Sequence, residues 1–321
     1  MRVLVLGGTS FVGRAIVEEL RAGGDEVTLF GRGRTGTGLF PDVERRVGDR
    51  STGDYAALRT GEWDCVVDVS GYVPRHVQQA AEALLERVAR CLLVSTGSVY
   101  DRLQGRSGMD ESSPRLAPRR DTEDYESEAY GPLKVACEDD LAALWGSRAT
   151  VVRPGVVAGP HDPTDRFTWW VRRAARGGRV ALPGRAEQPV QVVDAGDLGR
   201  LVASLVRSGL AGTFNAVGPA DPVTLGSLIE TCAEAAGTSV EVVEVEHRPG
   251  FPLVLADQTW DVMFRRSSAA ARAVGLTATP LLETARATLA WDRDRGEPPL
   301  AVELSPEEEA TLLADARPTP A

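Results

Sequence analysis

Residues 3–20 read VLVLGGTSFVGRAIVEEL. Four apolar residues, a glycine-rich turn and an apolar pattern at helical spacing follow one another without a gap. Val3 to Leu6 suit a strand buried on both faces, and Val12, Ile16, Val17 and Leu20 share one side of a helix. Gly7, Gly8 and Gly13 sit where the strand hands over to the helix. A tight turn needs a residue without Cβ, a helix close to a sheet needs another, and a pyrophosphate can then reach backbone N–H groups at the helix start. Gly7 and Gly13 fill the outer positions of a G-x-x-G-x-x-G pattern, and Ser10 stands at the middle one. Serine keeps the backbone N–H and adds a small hydroxyl, so the turn is expected to cradle a dinucleotide through Gly7, Thr9, Ser10, Phe11, Val12 and Gly13.

The pattern repeats outward from this unit. Strand-like runs EVTLF (26–30), a weak one from Val43 to Val47, CVVDV (65–69) and CLLVST (91–96) alternate with helical ones, RHVQQAAEALLERV (75–88) and YGPLKVACEDDLAALW (130–145). ATVVRPGVV (149–157) reads as a further strand. Such alternation predicts βαβ units and an α/β fold with a doubly wound parallel sheet. The second half is less regular. RFTWWVRRAARGG, DLGRLVASLVRSG, TLGSLIETCAEAAG and TPLLETARATLAWDRDRG read as helices and GTFNAV as a late strand, with Thr224 and Ser305 as N-caps and Gly237 as a stop. We expect a dinucleotide-binding domain over residues 1–165 plus about 190–218. A smaller α/β substrate-binding subdomain is expected over about 166–189 and 219–300. An acidic, proline-containing tail with a fraying end is expected over 301–321.

The 321 residues carry a net charge of −10, which disfavours nucleic acid as the main partner because phosphate contacts need a basic face. Cys65, Cys91, Cys137 and Cys232 are widely spaced, and no stretch reads as a membrane span or a leader, so a reduced, cytoplasmic protein is expected. His76, His161 and His247 share no ligand spacing, and no metal site is expected. No G-x-S-x-G elbow occurs, which sets serine-hydrolase chemistry aside.

After the second strand, where a NAD site carries an acidic residue for the ribose, the chain reads LFGRGRTG. Arg32 and Arg34 suit a ribose 2′-phosphate, so NADP is preferred, with NAD as the alternative. Among 36 basic residues one alone is lysine, Lys134, four residues after Tyr130 in YGPLK. That spacing puts an ammonium and a phenol on one helix face. A phenol's ordinary pKa of about 10 is too high for a neutral-pH base, and a nearby cation favours the phenolate. Pro132 is tolerable in a first helical turn.

With these motifs the chain resembles the short-chain dehydrogenase/reductase superfamily, in its extended and atypical branch, the NAD-dependent epimerase/dehydratase family. The resemblance runs through GGTSFVG, STGSVY, YGPLK, VRPGVVAGP, VVDAGDLGRLV, GTFNAVG and TATPLLETARATLAW. It implies a Rossmann sheet, a nicotinamide cofactor, and a Ser or Thr polarising the reacting oxygen beside Tyr130 and Lys134. That hydroxyl falls on Thr96, four residues before Tyr100, with Ser95 and Ser98 as rivals and a strand-end cap as the plain alternative. The resemblance further places Asp49 of VGDR at the adenine with Arg50 beside it, Ser70 and Gly71 along the cofactor, and Pro154 to Val156 at the nicotinamide. A small-molecule alcohol or carbonyl substrate is implied, reduced, oxidised or epimerised. A homodimer through the helices after residues 75 and 130 is allowed, and a non-catalytic RNA-binding or regulatory relative is the alternative of another class.

Three departures narrow the expectation. Sugar dehydratases carry an Asp-Glu pair after the threonine, where this chain has Gly97 and Ser98. Nucleotide-sugar enzymes carry an arginine where Val190 stands in QPVQVVDAGDLG, and Ser10 replaces a glycine. A nucleotide-sugar substrate is therefore less expected. His161 and Asp162 are read as a structural loop rather than as helpers of proton transfer, Trp169 and Trp170 as walls of a substrate pocket or, more plainly, as divided between core and surface, and Asp194 and Asp197 as helix caps.

Overall fold

The computed structural model describes residues 1–248, 250–302 and 304–316. Its first elements are β1 (Arg2–Leu6), α1 (Phe11–Ala22), β2 (Glu26–Gly31), β3 (Glu44–Val47), β4 (Trp63–Asp68), α2 (Pro74–Leu84), β5 (Val88–Val94), α3 (Tyr130–Trp145) and β6 (Ala149–Pro154). Next come β7 (Val156–Ala158), α4 (Arg166–Ala175), β8 (Gly178–Leu182), β9 (Pro189–Val190), β10 (Val192–Asp194), α5 (Ala195–Ser208) and β11 (Gly212–Ala216). The remaining elements are β12 (Val223–Thr224), α6 (Leu225–Ala236), β13 (Val240–Glu244), α7 (Ala269–Ala273), α8 (Leu281–Asp294) and α9 (Pro306–Asp315). Among the described residues no helix is long and apolar enough to cross a membrane.

The chain divides into two compact units. The first comprises Met1–Gly155, Ala195–Val217 and Arg266–Thr277. Its 7-stranded sheet has the order β11-β6-β5-β4-β1-β2-β3 with every neighbouring pair parallel. Helices on both faces bury strands such as Val3–Leu6 completely, which is why those strands are continuously apolar. Strand order reverses direction between β1 and β4, where Leu6 pairs with Asp68. Beyond the carboxyl ends of these two strands lies the crevice in which open α/β sheets bind ligands.

Three local expectations change. The helix read over 75–88 stops at Leu84, and β5 starts at Val88 because Val88 pairs with Trp63 of β4. Sheet pairing there overrides a helical pattern that could equally have run on. The strand read over 149–157 divides at Gly155: β6 stays in the sheet, while β7 pairs with β10. Arg266–Thr277, expected with the substrate subdomain, belongs to the first unit. There the Ser267 N–H donates to Met109 O at 2.8 Å, and Asn215 Nδ2 donates to Ser267 O at 3.1 Å.

The second unit comprises Val156–Asp194, Gly218–Arg265 and Ala278–Ala321. Its core holds Trp169, Trp170, Phe251, Leu228, Ile229 and Leu289. Both tryptophans are buried, so they do not divide between core and surface, and Trp170 Nε1 donates to Pro252 O at 2.8 Å. Thr224 and Ser305 cap α6 and α9, each in a capping box. The acidic segment is no loose tail over its helical part. Glu309 is buried and accepts from Arg173 Nε at 2.7 Å and from the Ala181 N–H at 3.1 Å. The expected fraying concerns residues 317–321, outside the described residues.

Candidate active site

Gly7 follows β1 with φ +93°, a conformation that side chains resist, and a Cβ there would come 3.0 Å from Ser70 Cβ. A Cβ on Gly13 would lie 2.0 Å from Gly7 O, so α1 can start this close to the turn only with glycine at that position. Ser10 needs no such freedom. Its backbone is extended (φ −136°, ψ 140°), and its side chain makes no capping bond. First-turn N–H groups of α1 are thus left for another acceptor. Phe11, at φ +32°, carries the strain of the turn. The loop after β2 folds back over this turn. A Cβ on Gly36 would meet Thr9 O at 2.9 Å, and Arg45 of β3 holds the loop by donating to Gly36 O at 3.1 Å and to Leu39 O.

Arg32 and Arg34 are exposed on that loop. Asp49 lies within reach of both. Bonds from the Ser51 hydroxyl and N–H, helped by the two guanidinium charges, hold its carboxyl below the usual range. Arg50 is a correction. Its guanidinium is buried and committed to Asp68, by Nη1–Oδ1 at 2.6 Å and Nη2–Oδ2 at 2.7 Å. It also donates to Ser70 Oγ at 2.8 Å, His76 O at 3.0 Å and Tyr55 OH at 3.1 Å. The Arg50 carbonyl is used as well, accepting from the Gly53 N–H at 3.2 Å and from Arg75 Nη1 at 3.1 Å. The Ser70 hydroxyl is drawn into the same network and donates to Leu6 O at 3.3 Å, directly under Gly7.

His76, in the first turn of α2, carries a second consequence of this burial. Burial, then the Arg50 charge, lowers its imidazole from 6.5 to about 4, with Asp68 and Glu123 opposing and Arg75 adding. The unfolded chain therefore takes up a proton below about pH 6.5 that the folded chain refuses until about pH 4. Stability is full above this window and falls as pH drops through it. Thermal denaturation at pH 7.0, 6.0, 5.0 and 4.5 checks this. His76→Gln should flatten the slope, and an unchanged slope would refute a buried neutral imidazole.

Tyr130 is the first residue of α3, with Pro132 safely in the first turn, and Lys134 lies one turn on. Lys134 is 1% exposed. Its Nζ donates to Gly71 O at 2.7 Å and to Val94 O at 2.9 Å, the carbonyls that follow β4 and end β5. The ammonium also sits 5.9 Å from the centre of the Tyr72 ring, which stacks on Tyr125 at 4.8 Å. Burial pushes the Tyr72 phenol up, with the Lys134 charge opposing and the Tyr130 and Tyr125 phenols adding, so all three groups converge on Tyr72.

Thr96 caps the short turn Gly97–Val99. Its Oγ1 accepts from the Ser98 N–H at 3.1 Å and donates to Ser98 Oγ at 3.2 Å. The plain role of a strand-end cap is therefore real, and it leaves the hydroxyl beside the start of α3. A Cβ on Gly131 would fall 2.4 Å from Ser98 O, so α3 begins against this turn. Ser95 is not a rival, because its hydroxyl donates to Glu138 at 2.6 Å. Pro154 ends β6 opposite Ala216. Val156 opens β7 and belongs to the second unit.

Sequence reasoning missed Tyr72, Asp68 and Arg266. Arg266 is buried with its guanidinium against Gly97, where a Cβ would lie 1.2 Å from Nη1, and burial lowers it to about 10, with Tyr100 opposing. Tyr72 could have been suspected from its place after Ser70-Gly71, whereas nothing local marks Arg266. Among the described residues no group of His, Cys, Asp and Glu could hold a metal ion.

A glycine turn thus sits at the switch point of the parallel sheet, with Lys134 anchored on the carbonyls of Gly71 and Val94. The model of the NAD-dependent epimerase/dehydratase family fits residues 3–216. The chain belongs to that family. A curated relative, the chloroplast stem-loop binding protein of 41 kDa b of Arabidopsis thaliana, is 26% identical over 255 residues, covering 74% of this chain. The match spans 63% of that protein, less than two-thirds of its length. Among solved structures, a putative epimerase from Burkholderia cenocepacia superposes with TM-score 0.71 at 23% identity, over 91% of this chain and 98% of its own. The UDP-glucose 4-epimerase of Thermus thermophilus, in complex with NAD, gives 0.65 at 23% identity, over 91% and 99%. RMD from Pseudomonas aeruginosa, complexed with NADPH, gives 0.65 at 20% identity, over 92% and 99%. At these identities the structures establish the fold.

Proposed function

We propose that this member of the family is an oxidoreductase that interconverts a hydroxyl and a carbonyl carbon in a small sugar-like or specialised-metabolite substrate. The observation that supports this most is the anchored ammonium of Lys134, on the same helix face as Tyr130 and next to the Thr96 turn. The cradle fits a dinucleotide, since Gly7 and Gly13 let β1, the turn and α1 pack closely and the amides of α1 are uncapped. Gly7, Thr9, Ser10, Phe11, Val12 and Gly13 would hold the pyrophosphate, Asp49 the adenine, and Gly71, Lys134 and Pro154 the nicotinamide half. When bound, the nicotinamide gives or takes a hydride at the substrate carbon. Tyr130 gives the proton to the oxygen, or removes it in the reverse direction. Lys134 favours the phenolate and orients the ribose, and Thr96 polarises the oxygen. Epimerisation by transient oxidation uses the same groups.

NADP is the proposed cofactor, because Arg32 and Arg34 follow β2 and the stretch LFGRGRTG (29–36) carries no carboxylate. Arg32→Ala/Arg34→Ala should weaken NADPH binding about 10–100-fold and leave NADH binding unchanged, by fluorescence titration. Equal losses for both would remove the assignment. The function itself is tested by mass spectrometry of purified protein for retained nucleotide, and by turnover with one equivalent of enzyme. Net oxidation or reduction of nicotinamide indicates a reductase, and turnover without it an epimerase. The name of the Arabidopsis relative, a stem-loop binding protein, favours a second reading, nucleic-acid binding, with RNA as the ligand to test. Filter binding at low salt decides that, and salt-sensitive RNA affinity without nicotinamide binding would replace the enzymatic function.

A further inference from the structure

Tyr130, Lys134 and Glu138 follow at i, i+4 and i+8 along α3, so one stripe of the helix carries all three. This stripe meets consecutive residues at the end of β5. Lys134 Nζ donates to Val94 O at 2.9 Å, and one turn later the Glu138 carboxylate accepts from Ser95 Oγ at 2.6 Å. Thr96 is the next residue.

Glu138 is buried, and both its oxygens are fully used. Oε1 accepts from Ser95 and from Arg153 Nε at 3.0 Å, while Oε2 accepts from Arg153 Nη2 at 2.7 Å and Arg115 Nη1 at 3.1 Å. Arg153, on β6, extends the connection. Its Nη1 donates to Tyr100 OH at 2.8 Å and Glu111 O at 3.2 Å. Tyr100 OH donates to Asn215 Oδ1 at 2.7 Å, and the Glu111 carboxylate accepts from the Asn215 N–H at 2.7 Å. One carboxylate–guanidinium pair thereby ties α3 to the ends of β5, β6 and β11.

A buried ion pair is a poor source of net stability compared with apolar packing of the same volume. What it supplies is direction. Apolar contacts let a helix slide by fractions of an ångström, whereas a carboxylate bonded at both oxygens fixes its translation and rotation. We propose that Glu138 is a positioning residue: through Ser95 and Arg153 it sets α3 against the end of β5, and so holds Lys134 on Val94 O and beside Thr96. This rests on the reading of Lys134 as the cation of the nicotinamide site.

The solitary lysine supplies the readout. Protein grown on lysine labelled with 15N at Nζ carries one labelled ammonium, that of Lys134. Ser95→Ala removes a single hydroxyl and keeps the ion pair, so the fold is retained. The Lys134 signal should move, and its protons should exchange with water about tenfold faster, with far-UV circular dichroism unchanged. Glu138→Gln should act in the same direction and more strongly. Asp140→Asn is the control: it breaks the surface contacts of α3 with Arg120 and Gln78 and should leave the lysine signal in place. An unmoved signal in Ser95→Ala, or an equal shift in Asp140→Asn, overturns the proposal. A shifted signal together with full turnover in Lys134→Arg would uphold the positioning and overturn the catalytic reading instead.

Discussion

Lys134→Arg is expected to lower kcat/KM by about 10²–10⁴-fold while the protein still folds and keeps its charge. The ammonium is held between Gly71 O at 2.7 Å and Val94 O at 2.9 Å, at 1% exposure. It is a compact group with three donors that can satisfy two carbonyls and still present a third N–H to a ribose hydroxyl. A guanidinium is planar and longer, with its donors fixed in a fork. To fit, it must push past the carbonyls or the Tyr72 ring, which moves the charge away from Tyr130. Overpacking of this kind costs about 1–3 kcal/mol of stability, so a folded but inactive variant is the expected outcome. Turnover is measured with whichever carbonyl substrate oxidises reduced nicotinamide in a screen, and the pH profile is compared between the two proteins. Near-normal kcat/KM would remove Lys134 from the mechanism.

The largest stability effect is expected at Asp68. Asp68→Asn keeps the shape but leaves the buried Arg50 guanidinium without its counter-charge, at a cost of about 3–5 kcal/mol. Tm should fall by on the order of 10 °C. Burial alone would push the Asp68 carboxyl up, but Arg50, by charge and hydrogen bonds, more than offsets this and holds it below the usual range. The pair's contribution is accordingly present at neutral pH and lost only as pH falls through that lowered value. Asp68 also accepts from the Ser70 N–H at 3.0 Å, and Ser70 packs on Gly7, so nucleotide binding should weaken along with stability. The double variant Arg50→Met/Asp68→Leu removes both charges and should recover most of the lost Tm without recovering nucleotide binding. If Asp68→Asn left Tm unchanged, the pair would not be the support of the cradle.

Much of this was legible in the chain. Val3 to Gly13 specified strand, turn and helix, because a buried parallel strand must be apolar throughout and a helix starting so close to the turn that a Cβ on Gly13 would lie 2.0 Å from Gly7 O needs glycine there. Tyr130 and Lys134 were legible because i, i+4 spacing fixes a shared face before any tertiary contact exists. Arg50 was misread for the converse reason. In VGDR it looks like a loop residue free to reach a ligand, and its partner Asp68 is 18 residues away on another strand. Ser95 stood as an equal of Thr96 until Glu138, 43 residues distant, took its hydroxyl.

Sequence by itself determined the parallel sheet, through the alternation of strand and helix patterns, the position of the glycine turn between β1 and α1, and the placing of Tyr130 and Lys134 one turn apart on one helix, all of which follow from local periods and spacings. The tertiary structure decided which charged groups are buried in paired networks and which stay exposed to solvent. It buried Arg50, Asp68, Glu138 and Arg153 in paired networks and left Arg32 and Arg34 exposed. The physical reason is that the choice between a buried and a solvated charge depends on counter-charges delivered by strands and helices distant in the chain, and no local pattern encodes them.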